Sequence, residues 1–222
     1  MNYFLTQSQL KPIVDSYVSK SVNHGFDVLR KILSKYQVTK DTDDLRYLFA
    51  LCLKCRHGRR MPWKDAETAV NILLRNNILC NSFNNFEELY DEVKRLLGDI
   101  HFVRGRLTLY DTALNIGQLL NPVVEPKDYV YLAAGAREGA GYVIGKKNLD
   151  WRVKIDIFGN LFSELSIIDI ENVLCIYKNQ LKKLANGGTL TIAEIDGVFT
   201  PCCFYPISKD IYIGRLNNSI LF

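Results

Sequence analysis

The stretch that most constrains this chain is residues 96–145, LLGDIHFVRGRLTLYDTALNIGQLLNPVVEPKDYVYLAAGAREGAGYVIG. Glycine is densest there, two prolines interrupt it, and Arg104 and Arg106 flank Gly105. It reads as a helix end, a tight basic turn, a second helix, a Pro-bounded loop and a third helix of small residues. That succession suits a grip on phosphate made by backbone N–H groups at a helix start.

The rest of the chain follows helical spacing for most of its length. Ile13, Tyr17, Val22, Phe26, Leu29 and Ile32 recur on one face over residues 3–36, and Asn23-His24-Gly25 either divides this run or weakens it. After the polar break at 39–44 comes a strongly apolar helix with Leu45, Leu48, Phe49, Cys52 and Leu53 as expected core. Further helices are expected from Asp65 to Leu74, from Phe86 to Gly98 with Leu89, Val93, Leu96 and Leu97 on one side, over 111–120, over 129–143 and over 166–184. Residues 151–158, WRVKIDIF, read as a short strand or a connector. From Thr189, TLTIAEIDGVFTPCCFYPI alternates as β-strands do, with Asp196-Gly197 in hairpin position, and IYIG at 211–214 adds a third strand. The expectation is a mostly α fold, with a helical domain over 1–186 and a small β-hairpin or meander over 187–222.

At 222 residues the chain can bury one substantial core, or one main domain and a small appendage. With 48% hydrophobic and 23% charged residues it has ordinary globular composition. A balance of 28 Lys+Arg against 24 Asp+Glu is only mildly basic, so a nucleic-acid binder of this composition must gather its cations on one face. No apolar run approaches the roughly 18–20 residues that span a bilayer, and the start lacks the pattern of a secretory signal. Six cysteines do not form a disulfide framework in a chain this long. Cys52, Cys80 and Cys175 sit within apolar helical patterns, as buried free thiols do. The expected compartment is the cytoplasm, with no membrane partner.

Two groups of cations stand out. Arg104, Gly105 and Arg106 form the basic turn, with Lys94 and Arg95 about one turn upstream. They read either as charge-assisted phosphate ligands or as the solvated side chains of a plain helical hairpin. Lys54, Arg56, His57, Arg59, Arg60 and Lys64 surround Trp63, giving charge for a backbone and a ring for stacking. The bland alternative is a solvated helix end, where basic residues suit the dipole. Within the second helix of the central stretch, Tyr110 reads as an anchoring aromatic and Asp111 as a first-turn carboxylate favoured by the helix dipole.

Other chemistries find little footing. Cys52-x-x-Cys55-x-His57 lacks the second ligand pair that a four-coordinate zinc site needs, so no metal is expected. His24, His57 and His101 have no Ser or Cys in a recognisable catalytic arrangement. No phosphate-binding loop or dinucleotide fingerprint is present, and no cofactor is expected.

A family resemblance rests on three blocks: GRLTLYDTALNIG at 105–117, VYLAAGAREG at 130–139 and LFSELSIIDIENVLCIYKNQLKKL at 161–184. They resemble a bacterial group of uncharacterised proteins, over about residues 86–184. The apolar–turn–Gly–helix spacing also resembles the helix-hairpin-helix, the sequence-tolerant DNA-backbone grip of many repair proteins. The match is degenerate: Val103-Arg104-Gly105 keeps one of the two hairpin glycines, and Ala133 stands where the group often has His. Glycosylases built on this motif add an Asp beyond the hairpin, for which Asp128 is the candidate here; it reads equally well as an N-cap.

The leading expectation is therefore a non-catalytic DNA- or RNA-binding protein. It would use Lys94, Arg95, Arg104, Gly105 and Arg106 together with Arg56, Arg59, Arg60 and Lys64. The alternative is a protein-interaction or structural module docking a partner through its C-terminal β element or its small-residue helix. A third is a glycosylase- or lyase-like enzyme with Asp128 as its acid.

Overall fold

The computed structural model describes residues 4–20, 25–53, 62–198 and 209. In chain order the elements are α1 (Gln7–Ser19), α2 (Phe26–Thr39), α3 (Thr42–Cys52), α4 (Trp63–Arg75), α5 (Phe86–Leu97), α6 (Arg106–Gly117), β1 (Tyr129–Tyr131), α7 (Ala134–Ile144), β2 (Arg152–Lys154), α8 (Ile167–Ile176), α9 (Lys178–Ala185) and α10 (Ile192–Asp196). The fold is mostly helical, as the periodicity predicts. Two compact units account for it, one built from Met1–Val22 and Pro126–Pro201, the other from Asn23–Glu125 and Cys202–Phe222. Each unit takes two separate stretches of chain.

In the first unit, α1 starts on a capping box in which the Gln9 N–H donates to Thr6 Oγ1 and the Thr6 N–H to Gln9 Oε1. Its inner face, Leu10, Ile13, Val14 and Tyr17, joins Val130, Ala136, Ala140, Val143, Val173, Leu174 and Leu181 in one apolar core. Each large side chain buried there is worth about 1.5–3 kcal/mol over leaving it in water. Helices α7 and α8 approach closely because Gly135 and Gly139 face α8. A Cβ on Gly135 would stand 2.8 Å from Cys175 Sγ, and one on Gly139 would collide with the Leu174 carbonyl. The small-residue face of α7 is thus taken up inside the unit.

Among the described residues, the short strand read at 151–158 is present as β2, and its partner lies where a helix is expected. Strand β1 pairs antiparallel with β2 in the register Tyr129↔Lys154, Val130↔Val153 and Tyr131↔Arg152. Arg152 lies over the Tyr129 ring at 4.7 Å, and Tyr131 meets Trp151 edge-on. The helix expected over 129–143 therefore begins only at Ala134. The aromatic and β-branched Tyr129-Val130-Tyr131 triplet finds a strand partner that local periodicity cannot reveal. Conversely, the first part of the expected C-terminal hairpin is helical. Thr191 and Glu194 form a capping box for α10, and Gly197 is its C-cap rather than a hairpin residue. The remainder, including 211–214, lies outside the described residues.

A buried polar network ties α1 to α8, α9 and α10. Tyr17 Oη donates to Asp169 Oδ1 (2.7 Å) and accepts from Asn172 Nδ2 (3.0 Å). Lys20 Nζ donates to Tyr177 Oη and to the carbonyls of Ile195, Asp196 and Val198, closing the end of α10. The single helix expected over 166–184 is divided at Tyr177, whose backbone leaves helical geometry (φ −95°, ψ 15°) while its buried ring packs under Lys20.

In the second unit, every residue of α6 from Thr108 to its end is buried. Its polar groups are met from within: Asn115 Nδ2 donates to the Cys52 carbonyl (3.0 Å), and Arg30 Nη2 donates to Gln118 Oε1 (2.5 Å). Asp111 is buried in the second turn of α6, not on the first turn where the dipole would favour it. Asp44 in the first turn of α3 is buried against Lys35 (3.1 Å) and Lys209 (2.6 Å). These two lysines hold its carboxyl below the usual range although burial alone would raise it.

Candidate nucleic-acid interface

Helix α5 begins where Asn85 Oδ1 accepts from the Glu88 N–H (2.9 Å). Phe86, Leu89, Tyr90, Val93 and Leu97 recur every three or four residues and are buried, which leaves Lys94 and Arg95 exposed on its last turn. The chain then turns tightly. The Ile100 N–H donates to the Leu97 carbonyl (3.1 Å), and the N–H groups of Val103 (3.0 Å) and Arg104 (2.8 Å) both donate to the Ile100 carbonyl. Val103 is fully buried and pins this turn to the core.

Arg104 and Arg106 are exposed on either side of Gly105, the N-cap of α6. Gly105 offers no side chain to cap this helix, and the helix dipole gives its first turn a partial positive charge. Gly105 has φ −64° and ψ 131°, an extended geometry open to any residue. Its lack of a Cβ is thus not required for the backbone path. Val103, two residues before Gly105, is used for packing.

The other expected cations differ among themselves. Arg95 makes two bonds to Glu92, Nε to Oε2 and Nη2 to Oε1, both at 2.7 Å, which lowers the Glu92 carboxyl pKa and engages the guanidinium. Lys94 and Arg95 line a shallow recess together with Asp91 and Asp99, so the charge there is mixed. Lys64 is exposed near the start of α4. Arg56, Arg59 and Arg60, with Lys54 and His57, lie outside the described residues.

Asp128 belongs to the other compact unit. It is exposed just before β1, where its carbonyl accepts from the Ile155 N–H (2.9 Å), and α7 is capped by Ala133. The N-cap reading of Asp128 is therefore corrected: a strand follows it, not a helix. Cys52 is fully buried and desolvation drives its thiol pKa upward, while Cys55 and His57 lie outside the described residues. Among the described residues no cluster of His, Cys, Asp or Glu is arranged to hold a metal.

One feature escaped the charge-based reading. His101 and Phe102 occupy the two corners of the 100–103 turn, both exposed, with ring centroids 4.9 Å apart and edge-to-face. The signal in the sequence is a pair of aromatic side chains placed in a turn between polar and cationic residues. Compared with protein-family models, curated proteins and solved structures, the chain has no match in any of the three.

Proposed function

We propose that this chain is a non-catalytic nucleic-acid-binding protein that holds the phosphate backbone through the connection between α5 and α6. The observation that carries this reading is the uncapped start of α6 at Gly105 with exposed Arg104 and Arg106 beside it. Backbone N–H groups and the helix dipole favour an anion there, and two guanidinium groups suit neighbouring phosphates. The degenerate helix-hairpin-helix resemblance agrees with this use. The interaction-module alternative draws less support, since Gly135 and Gly139 of the small-residue helix face α8.

Binding of this kind has weak sequence preference and falls steeply with salt, the logarithm of affinity dropping by about 0.9 per phosphate neutralised on duplex DNA for each logarithmic unit of salt. Fluorescence anisotropy with labelled duplex and single-stranded oligonucleotides at low ionic strength tests it. Arg104→Glu with Arg106→Glu is expected to abolish binding. Absence of affinity of the unmodified protein for either form overturns the proposal.

A further inference from the structure

The turn that carries the arginines also carries an exposed aromatic side chain. Phe102 is 48% exposed, yet the backbone beneath it is held by two hydrogen bonds to the Ile100 carbonyl and by buried Val103. A single exposed apolar side chain needs no explanation by itself. Phe102 differs from a scattered one in three respects. It stands at a corner of a pinned turn, a second aromatic ring braces it from the side, and cations follow it at positions 104 and 106. The nearby carboxylates Asp91 and Asp99 line the recess beside Lys94 and Arg95, which Phe102, Arg104 and Arg106 do not line.

Resting on the phosphate-binding reading above, we infer that the 100–103 turn is a stacking tip and that the preferred ligand is nucleic acid with unpaired bases. Phe102 receives the face of a base while Arg104 and Arg106 engage the adjacent phosphates. An aromatic platform beside backbone-directed cations is the combination that sequence-tolerant single-strand binding requires, because every base has a π-face and every nucleotide a charge. Continuous duplex offers that ring no base face unless a step is unstacked at a cost of a few kcal/mol. His101 lies edge-on to the Phe102 ring, with centroids 4.9 Å apart.

The test compares a labelled single-stranded oligothymidylate with a duplex of equal length, using the full chain and its variants Phe102→Ala, Phe102→Trp and Arg104→Glu with Arg106→Glu. The single strand is expected to bind more tightly than duplex. Phe102→Ala should weaken single-strand binding by roughly tenfold, within the range seen for one stacked base, with the duplex affinity and the salt slope unchanged. Phe102→Trp should restore it, and unchanged circular dichroism shows that the variants fold. If Phe102→Ala binds the single strand as well as the unmodified chain, while the double-Glu variant loses binding, the stacking inference is overturned and the phosphate reading stands. If the unmodified chain binds neither form, both are overturned.

Discussion

Gly139 of α7 lies directly against the Leu174 carbonyl of α8, leaving no room between them for a methyl group. In an exposed helix, Gly→Ala gains up to about 1 kcal/mol from propensity. Here the added Cβ meets backbone that cannot rotate aside, so overpacking outweighs that gain. Gly139→Ala is expected to destabilise the chain by about 1–3 kcal/mol, read from the urea midpoint. Gly135→Ala should cost less, because the Cβ there meets the rotatable Cys175 Sγ at 2.8 Å. A raised midpoint for Gly139→Ala would show that the two helices stand further apart.

Tyr17 Oη is both donor to Asp169 and acceptor from Asn172 inside the first unit. Tyr17→Phe keeps the ring and removes both bonds. Asp169 retains the Ser166 hydroxyl (2.6 Å), while the buried Asn172 amide loses this acceptor. A loss of about 1–3 kcal/mol is expected in chemical denaturation, the range for a buried polar group deprived of its partner. Equal stability of Tyr17→Phe would mean that water replaces the hydroxyl.

Glu194 supplies the pH-dependent element of α10. Lys183 at 2.6 Å, then the Thr191 N–H and hydroxyl, hold its carboxyl down from the ordinary 4.5 to about 2. A depressed folded-state value stabilises the fold above the unfolded value. The contribution of Glu194 is therefore complete above about pH 4.5 and lost progressively as pH falls toward 2. The melting temperature of the unmodified chain should exceed that of Glu194→Gln at neutral pH, and the two curves should converge over this acid window. A gap that stays constant down to pH 2 would show that the charge of Glu194 is not what matters.

Arg95 and Arg104 carry the same charge but differ in availability. The Arg95 guanidinium is bonded twice to Glu92, whereas Arg104 is exposed beside the α6 start. On the proposed function, Arg104→Ala and Arg106→Ala should each lower the salt slope of binding by about 1. Arg95→Ala should change it little. An equal effect at all three positions would place Arg95 on the phosphate path and refute the distinction.

Much of the helical framework is legible without coordinates. The start of α3 falls within the polar break at 39–44, α5 begins after Asn85, and Leu89, Val93 and Leu97 are buried as its period selects, though Leu96 is only partly buried. The capping box of Thr191 and Glu194 was equally present in the sequence, but the alternation of TLTIAEI reads as strand when period alone is weighed. The Arg95–Glu92 pair is also a local feature, three residues apart on one helix face. At the candidate interface, charge and glycine were readable. The exposure of Phe102 depends on how Val103 seats the turn in the core, which composition does not carry.

The amino-acid sequence by itself determined that this chain is mostly helical, where α5 and α8 begin, and which side chains carry positive charge. Those properties follow from caps, periods and charge, all of which act over a few residues. Only the tertiary structure decided that Tyr129–Tyr131 becomes a strand, that α6 is buried from Thr108 to its end with Asn115 and the following Gln118 bonded from α3 and α2, and that Arg104 and Arg106 remain exposed. Strand pairing and burial join residues far apart in the chain, and their energies arise only when distant groups exclude water together.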